Sequence, residues 1–268
     1  MLVDADSSQI EARTVAWLSG QNDLVKAFDE RQDVYKIMAS SIYGKVEEEI
    51  TADERFVGKT TILGAGYGMG SSKFSLQLKT FGVEIDDAEA SRIIQVYRDT
   101  YKQIPNLWKE ANRSLEALSQ GRTATVGCQP QALSLTNSGF LLPSGLYLNY
   151  PDLKKDGDDQ WSYASRRGRI KIYGGKIVEN LCQALARCVI GEQMLRIAKR
   201  YKVALTVHDA VMAVVKEEEH DEAIKYVAEC MSWRPTWAQT LPLACEIGAG
   251  KSYSDCSDKK SIEKWGLV

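Results

Sequence analysis

The chain has 268 residues, of which 44% are hydrophobic and 26% are charged. This is a globular composition, with enough length for one large domain or two subdomains. The 34 basic and 36 acidic residues give a net charge of −2, so the overall basic excess of many nucleic-acid binders is absent. Local clusters can still bind nucleic acid, because they set the local field. No run approaches the roughly 20 apolar residues of a membrane span, so no membrane partner is expected.

The cysteines and the N-terminus indicate a cytoplasmic chain. Six cysteines are scattered without a C-x-x-C pair, and with only two histidines a zinc site is not expected. The first residues show neither the basic nor the apolar region of a signal peptide. Free thiols are typical of such a compartment.

The segment 2–13 reads as a short strand that ends in a carboxylate, Asp6, and turns directly into a helix. Ser8 and Glu11 have the S-x-x-E spacing of a capping box, which predicts that the helix begins at Ser8 or just after it. A carboxylate at a strand end beside a helix N-terminus is well placed to hold a hard cation once the fold supplies further ligands.

The segment 51–67 is predicted to be a helix that begins with a T-x-x-E capping box. Four residues then follow at intervals of four: Arg55, Lys59, Leu63 and Tyr67. A core stripe would be apolar throughout, whereas this one runs from cations to an aromatic ring. It suits a ligand with a polyphosphate at one end and a flat base at the other. A solvated helix face that ends in a tyrosine is the alternative.

The rest of the chain alternates helical and extended patterns. Helices are predicted over 24–28, 33–43, 84–101, 106–118, 176–201 and 222–233. A β-rich stretch is predicted over 123–150, an exposed loop or hairpin tip over 151–169, and strands over 170–173 and 241–247. Two apolar strands within 203–215 flank His208 and Asp209 at a tight turn. This turn lacks the usual Asn-Gly chemistry, which suggests a functional reason for its residues.

Three motifs, in this order, resemble those of family A DNA polymerases, the group that includes bacterial DNA polymerase I and many phage replicases. A-D-S-S-Q-I-E-A-R at 5–13 resembles motif A, R-x-x-x-K-x-x-x-L-x-x-x-Y-G at 55–68 resembles motif B, and V-H-D-A at 207–210 resembles motif C. Supporting stretches of the same family occur at 142–145, 173–180 and 241–250, the first two of a phage type. The resemblance extends over about the whole chain.

The resemblance implies an α+β fold: a polymerase palm, with an antiparallel sheet and packed helices, plus a mostly helical fingers subdomain. It places the first part of the palm at 1–20, the fingers with a β-hairpin insertion at 21–170, and the second part of the palm at 171–268. The thumb and exonuclease domains that family members carry ahead of motif A are expected to be absent. We therefore expect the C-terminal part of a split or truncated phage polymerase, with an N-terminal partner chain that carries them.

By resemblance, the chain performs template-directed DNA synthesis, transferring deoxynucleotides to a primer 3′-hydroxyl, in the cytoplasm of an infected bacterial host if it is phage-encoded. Asp6, Asp209 and the backbone carbonyl of Ser7 would hold two Mg²⁺ ions. Lys59 would also donate a proton to the leaving pyrophosphate.

The partners implied are dNTPs and primer–template DNA. The residues expected to contact the dNTP are Gln9, Ile10, Glu11, Arg55, Lys59, Leu63, Tyr67 and His208. Glu11 would be the steric gate that crowds a ribose 2′-hydroxyl. Asn180 and Gln183 would contact the template or primer.

Four positions depart from the family pattern. Ser7 replaces a tyrosine, and Leu63 replaces a common aromatic residue. Ala210 replaces a glutamate, so that metal binding should depend more on the two remaining carboxylates. Glu179 stands where asparagine is common, which affects one template contact.

Three other functions remain open from the sequence. A single-subunit RNA polymerase shares the palm and fingers plan, but Gln9-Ile10-Glu11 argues against it. A non-catalytic remnant would not need its intact Asp6 and Asp209. An unrelated metal-dependent phosphotransferase would leave the C-terminal match unexplained.

Overall fold

The computed structural model describes residues 1–157 and 159–257, and it confirms the α+β class. The last positions of the predicted second palm segment, 258–268, lie outside the described residues. In chain order the helices are α1 (Ile10–Ser19), α2 (Asn22–Asp29), α3 (Val34–Tyr43), α4 (Ala52–Ala65), α5 (Ser71–Thr80), α6 (Asp87–Thr100), α7 (Gln103–Ser119), α8 (Gly174–Ile197), α9 (His220–Ser232) and α10 (Tyr253–Cys256). The strands are β1 (Leu2–Ser7), β2 (Ser134–Thr136), β3 (Gly139–Leu141), β4 (Tyr147–Leu148), β5 (Lys154–Lys155), β6 (Trp161–Ser165), β7 (Gly168–Lys171), β8 (Lys202–Val207), β9 (Ala210–Val214) and β10 (Cys245–Gly250).

The chain divides into two compact units, with the divisions falling within α1 and within α8. The first unit comprises Met1–Arg13 and the described part of the chain from Leu185 onward, and the second comprises the described residues of Thr14–Ala184. This division does not decide the palm and fingers boundaries, which stay a prediction.

The first unit is built on a four-stranded antiparallel sheet in the order β10-β1-β9-β8. Side chains alternate across each strand, so Val3 and Ala5 point to one face and Asp4 and Asp6 to the other. The apolar face packs against α9 and the end of α8 in a core that includes Val3, Ala5, Ile190, Val211, Val227 and Ile247. The opposite face of the sheet therefore carries the polar residues of β1.

The second unit is mostly helical, and α3, α4 and α6 begin at residues whose side chains cap them. Asp33 caps α3 through its carboxylate, and Gly44 ends that helix in the left-handed conformation at φ +66°. The capping box predicted at 51–54 is present at the start of α4. Two small antiparallel sheets, β2-β3-β4 and β5-β6-β7, complete the unit. The aromatic side chains buried within it include Trp17, Phe28, Phe74, Tyr97 and Phe140.

Several local predictions are wrong. α1 begins at Ile10, just after Ser8 as expected, but the buried Ser8 hydroxyl has no hydrogen-bond partner among the described residues, so the capping box predicted there does not form. Gln9 takes a left-handed conformation at φ +47°, which turns the chain before the helix can start. α4 ends at Ala65, so Tyr67 lies in the following turn rather than on the helix. The stretch 151–169 is not a loop, because much of it is paired into β5, β6 and β7, although the hairpin alternative agrees with the turn between β6 and β7. β10 begins later than predicted.

No helix within the described part of the chain is both long and apolar enough to cross a bilayer.

Candidate functional site

The end of β1 and the turn between β8 and β9 meet in the first unit. Asp6 pairs with Ala210 on one side and with Glu246 on the other. The backbone N–H of Ser7 donates to the carbonyl of Asp209 at 3.3 Å, which fixes the turn beside the strand end. Two acidic residues that lie 203 positions apart in the chain, at 6 and 209, are thus neighbours, as the family resemblance implied.

These residues line a cleft of about 250 Å³. Four carboxylates open into it: Asp4, Asp6, Asp209 and Glu246. The rest of the lining includes His208 and, from α10, Tyr253 and Cys256. The cleft is therefore acidic, which suits a cationic ligand.

The carboxyl group of Asp6 is strongly affected by this neighbourhood. Partial burial in the cleft, followed by the negative charges of Asp209, Glu246 and Asp4 and a hydrogen bond with Asp209, raises its pKa to about 6. Burial also raises the pKa of Asp4. Although the side chain of Asp6 is open to solvent, its carboxyl lies among like charges that disfavour ionisation. A bound cation would remove this cost.

The donor set fits a hard divalent cation in kind, because such ions take carboxylate and carbonyl oxygens. Asp6 and Asp209 are close enough to hydrogen-bond to each other, and Ser7 is held against Asp209 through its backbone. Within residues 1–157 and 159–257, however, no group of three or more His, Cys, Asp or Glu side chains is gathered in metal-binding geometry. The fit thus rests on the two carboxylates that resemblance predicted.

Two residues with a strained backbone lie next to the cleft carboxylates in the sequence. Gln9 follows β1 at φ +47°, and His208 lies in the hairpin turn at φ +53°. Such values are uncommon for residues other than glycine, and they cluster at functional sites. Arg13 holds the first of these turns, because its Nε donates to the carbonyl of Ser8 at 2.7 Å and its Nη2 to Oε1 of Gln9 at 3.2 Å.

The other residues of the predicted nucleotide set in this unit differ in accessibility. His208 is exposed and Glu11 is half-buried in the first turn of α1. Ile10 is only 2% exposed, so its side chain belongs to the core and leaves only its backbone for a ligand.

In the second unit, α4 carries the predicted cationic residues on its open face. Arg55 is half-buried and Lys59 is exposed, whereas Val57 and Ile62 face the core. Leu63, one turn further, is 40% exposed. These residues form an accessible stripe, as the alternative of a solvated helix face would require. However, the two cations of the stripe, Arg55 and Lys59, also lie over the ring of Tyr35.

Tyr67 lies in the turn after α4, close to the start of α8. A side chain at Gly175 would bring its Cβ within 2.5 Å of the Tyr67 carbonyl, so only glycine fits there. The Gly-Gly pair at 174–175 therefore lets α8 begin directly against this turn.

A second cleft, of about 800 Å³, lies in the second unit next to the same turn. Its cations are Arg98, Lys109 and Arg113, its aromatic residues are Trp108 and Tyr173, and its lining contains no acidic residue. The indole of Trp108 donates to the Gly66 carbonyl at 2.8 Å, and Arg98 lies 5.9 Å from the centre of its ring. Cations interleaved with aromatic rings are typical of surfaces that bind single-stranded nucleic acid.

The predicted template residues lie on α8. Gln183 is exposed, while the amide of Asn180 donates to the hydroxyl of Tyr150 at 3.1 Å. Glu179, at the position that departs from the family pattern, is paired with Lys176 at 2.7 Å.

The site contains residues that the sequence did not single out. Asp4 shares a strand face with Asp6 because it lies two positions earlier, a signal that was readable from the sequence. Glu246 faces Asp6 only through the register of β10, which no local pattern specifies. The cations of the second cleft are Arg98 on α6 and Lys109 and Arg113 on α7. In the sequence they appear as ordinary polar residues of amphipathic helices, so no pattern identified them.

The structure is that of an α+β protein with an acidic cleft at the end of a central strand of its sheet. A family model described as DNA polymerase family A matches residues 1–138, about half of the chain. The chain belongs to this family.

Relatives of known name agree with this assignment. The DNA polymerase of Bacillus phage SP02 is 30% identical over 261 residues, a match that covers 90% of this chain and 39% of the relative. DNA polymerase I of Synechocystis sp. is 27% identical over 259 residues, covering 95% of this chain and 24% of the relative. The chain thus spans well under half of the length of the curated relatives it matches.

The fold is also that of a solved polymerase domain. The POL domain of Pol1 from M. smegmatis, solved with DNA primer–template and dNTP, aligns with a TM-score of 0.65 at 21% identity. The alignment covers 96% of this chain and 40% of that one. Together with the family match, it excludes the interpretation of the chain as an unrelated phosphotransferase.

Proposed function

We propose that this chain carries out template-directed DNA synthesis, transferring deoxynucleotides to the 3′-hydroxyl of a primer. The observation that carries the proposal is the meeting of the Asp6 and Asp209 carboxyls in one acidic cleft of a family A member. A chain kept only for binding a partner would gain nothing from this arrangement, since the repulsion raises the pKa of Asp6.

Asp6, Asp209 and the backbone carbonyl of Ser7 are the proposed ligands of two Mg²⁺ ions. When bound, the ions would supply a lowered pKa for the primer hydroxyl and neutralisation of the triphosphate charge. The carboxylates' own part is to fix where the positive charge lies. His208, exposed at the hairpin turn, would support the triphosphate or the primer end.

The second unit would supply the groups that bind phosphate and base. Arg55 offers a planar fork of donors and Lys59 a compact charge, and both suit phosphate oxygens. Lys59 is also the proposed proton donor to pyrophosphate. Leu63 and Tyr67 continue the path toward the base of the incoming nucleotide.

The second unit also carries the proposed DNA contacts. Gln183 is exposed on α8 and would contact the template or primer, with Asn180 one turn before it. The basic and aromatic cleft at Arg98, Lys109 and Tyr173 would hold single-stranded DNA through phosphate contacts and base stacking.

Glu11 is the proposed filter for the sugar. It lies in the first turn of α1, immediately after the strained Gln9 that follows β1. Its carboxylate would crowd a ribose 2′-hydroxyl, so that deoxynucleotides are preferred.

The relatives are longer than this chain, and their additional segments would affect the affinity for DNA. Because this chain spans 39% of the phage relative, we propose that efficient synthesis uses further polymerase segments of the kind that the relative's remaining length contains. Thumb segments that grip duplex phosphates would raise affinity in a salt-dependent manner.

Primer extension with dNTPs and Mg²⁺ tests the proposal. The chain is assayed by itself and with the N-terminal polymerase part of the phage relative added in trans. We expect template-dependent extension that Asp209→Ala lowers by about 1,000-fold or more, since losing a metal ligand removes several kcal/mol of transition-state stabilisation. Lack of extension in both formats would instead favour a non-catalytic remnant.

The same assay with rNTPs tests the sugar filter. Wild type should prefer dNTPs, and Glu11→Ala should relax the preference by roughly 10- to 200-fold, the usual range for steric discrimination in a pocket. Equal use of rNTPs by the wild type would remove the role of Glu11 and favour an RNA polymerase.

A further inference from the structure

The N-terminus of α3 packs closely against the cationic part of α4. A Cβ built at Gly58 would lie 2.2 Å from the Tyr35 carbonyl and 3.1 Å from the backbone nitrogen of Ala39. Only glycine therefore lets the two helices cross at this point. Gly58 lies between Arg55 and Lys59 in the sequence, so the close crossing brings both cations to the first turn of α3.

Both cations lie over one aromatic ring. The guanidinium carbon of Arg55 is 5.2 Å from the centre of the Tyr35 ring, and Nζ of Lys59 is 5.9 Å from it. These distances are within the range of cation–π attraction. Tyr35 is 6% exposed, so its ring is a fixed part of the helix packing. The ring thereby holds two like charges that would otherwise move apart.

Asp33 fixes one of these cations further. Its Oδ1 accepts from the backbone N–H groups of Tyr35 and Lys36, each at 3.2 Å, as the cap of α3. Its Oδ2 accepts from Nε of Arg55 at 2.7 Å. Because the cap orients the carboxylate, the guanidinium is held in a defined direction.

The remaining donors of the two cations stay open. Within the described part of the chain, no residue accepts a hydrogen bond from the Nη groups of Arg55, and no carboxylate pairs with Lys59. Asp33 therefore occupies one edge of the guanidinium and leaves its fork for another acceptor. Such a pair suits an anion with several oxygens, because a fork and a point charge then bind different oxygens.

We propose that Asp33 and Tyr35 are positioning residues that hold Arg55 and Lys59 as a preformed site for the triphosphate of the incoming nucleotide. This inference rests on the proposed function. Holding the cations in place before the ligand arrives reduces the conformational entropy lost on binding. A structural role alone would stabilise α3 and α4 without any effect on anion affinity.

The ring is tested by two substitutions at one position. Tyr35→Phe keeps the ring and Tyr35→Leu removes it, while Tyr43→Leu, a half-buried tyrosine at the other end of α3, is the matched control. The full chain is titrated with inorganic tripolyphosphate and with dATP. We expect Tyr35→Leu to raise the dissociation constant by roughly 2- to 30-fold, the range of cation–π energies, and Tyr35→Phe and Tyr43→Leu to leave it unchanged. Equal affinity of Tyr35→Leu and wild type would overturn the role of the ring.

The carboxylate is tested by Asp33→Asn, which keeps a good helix cap while removing the charge. The matched control is Asp86→Asn, because Asp86 caps α6 through the N–H of Glu89 in the same way but lies next to no arginine partner within the described chain. A positioning role predicts weaker binding of tripolyphosphate by Asp33→Asn, with an unchanged melting temperature. Tighter or unchanged binding would mean that Asp33 only competes with the anion, and would overturn the proposal for this residue.

Primer extension separates this inference from the proposed function. If the chain extends primers, Tyr35→Leu and Asp33→Asn should raise KM for dNTP more than they lower kcat, and equal loss in both would contradict positioning. If the chain extends no primer but the tripolyphosphate results are as expected, the anion site stands and the polymerase proposal fails. Because the anion titrations need no catalysis, the two failures are distinguishable.

Discussion

The two units gather charge in opposite ways. In the first unit, antiparallel pairing places carboxylates side by side, and every charge that acts on Asp6 raises its pKa. In the second, two cations on one helix share an aromatic ring, and one of them already has a carboxylate partner. The acidic cleft is thus costly until a cation arrives, whereas the cationic site is held in place without a ligand.

This difference suggests how each part would respond to substitution. Removing a carboxylate from the cleft should relieve repulsion and so favour the folded state. Removing a cation from α4 should leave the fold nearly unchanged, because surface interactions of this kind contribute little to stability. Function should decline in both cases.

In the second unit, the largest effect is expected when the cations of α4 are removed, and other surface cations serve as the comparison. Each charge-assisted contact contributes roughly 1.5–3 kcal/mol, so Arg55→Gln with Lys59→Gln should lower kcat/KM for dNTP by about 100-fold or more. Single-nucleotide incorporation on a primer–template measures this. The control is Lys102→Gln with Arg122→Gln, two exposed cations without an ion pair in the described chain. If the control lost as much activity as the test pair, the loss would reflect overall charge.

A smaller effect is expected at the basic and aromatic cleft. Lys109→Gln with Arg113→Gln removes two cations from its lining without removing an aromatic ring. The slope of log affinity against log salt for single-stranded DNA should become shallower by about 1.4, since each phosphate contact on a single strand contributes about 0.7. Fluorescence anisotropy at several salt concentrations measures the slope. The same Lys102 and Arg122 pair should leave it unchanged, and an equal change there would assign the effect to net charge.

The smallest effect concerns stability and pH. Because the pKa of Asp6 is raised to about 6 in the fold, the folded state binds more protons than the unfolded state between about pH 4 and pH 6. Its contribution to stability is therefore present at about pH 4 and is lost as pH rises through 6. After discounting for solvent exposure, Asp6→Asn should raise the free energy of unfolding at pH 7 by about 1 kcal/mol.

Urea unfolding of Asp6→Asn and wild type at pH 7 and pH 4, with a chelator present, measures this difference. The gain should disappear at pH 4, where the wild-type carboxyl is protonated in the fold. Glu48→Gln, at an exposed position away from the cleft, should show no gain at either pH. A variant less stable than wild type at pH 7 would mean that Asp6 is not under repulsion.

The features of the site that the sequence predicted are local ones, on a helix in the second unit and in a hairpin of the first. The stripe of α4 was readable because helical neighbours are three or four positions apart, and the capping box at 51–54 marked its start. The hairpin of His208 and Asp209 was readable from two apolar runs around a short turn. Its closeness to Asp6 came from family resemblance rather than from any local pattern.

What escaped prediction depends on contacts between distant segments. Glu246 faces Asp6 only through the register of β10, and Asp33 meets Arg55 only because Gly58 allows α3 and α4 to cross closely. The failed cap at Ser8 has a local cause, because the left-handed turn at Gln9 replaces the expected start of the helix. Capping signals thus held where the backbone was regular and failed beside the acidic cleft.

The most direct test of the account is divalent cation binding to the full chain. Mn²⁺ titration followed by electron paramagnetic resonance, in the absence of DNA and nucleotide, compares wild type with Asp6→Asn, Asp209→Asn and the double variant Arg55→Gln/Lys59→Gln. We predict that wild type binds Mn²⁺, that each carboxylate variant weakens binding by about tenfold or more, and that the cation variant binds as wild type does. Unchanged Mn²⁺ affinity in both Asp6→Asn and Asp209→Asn would contradict the claim that the acidic cleft is a metal site.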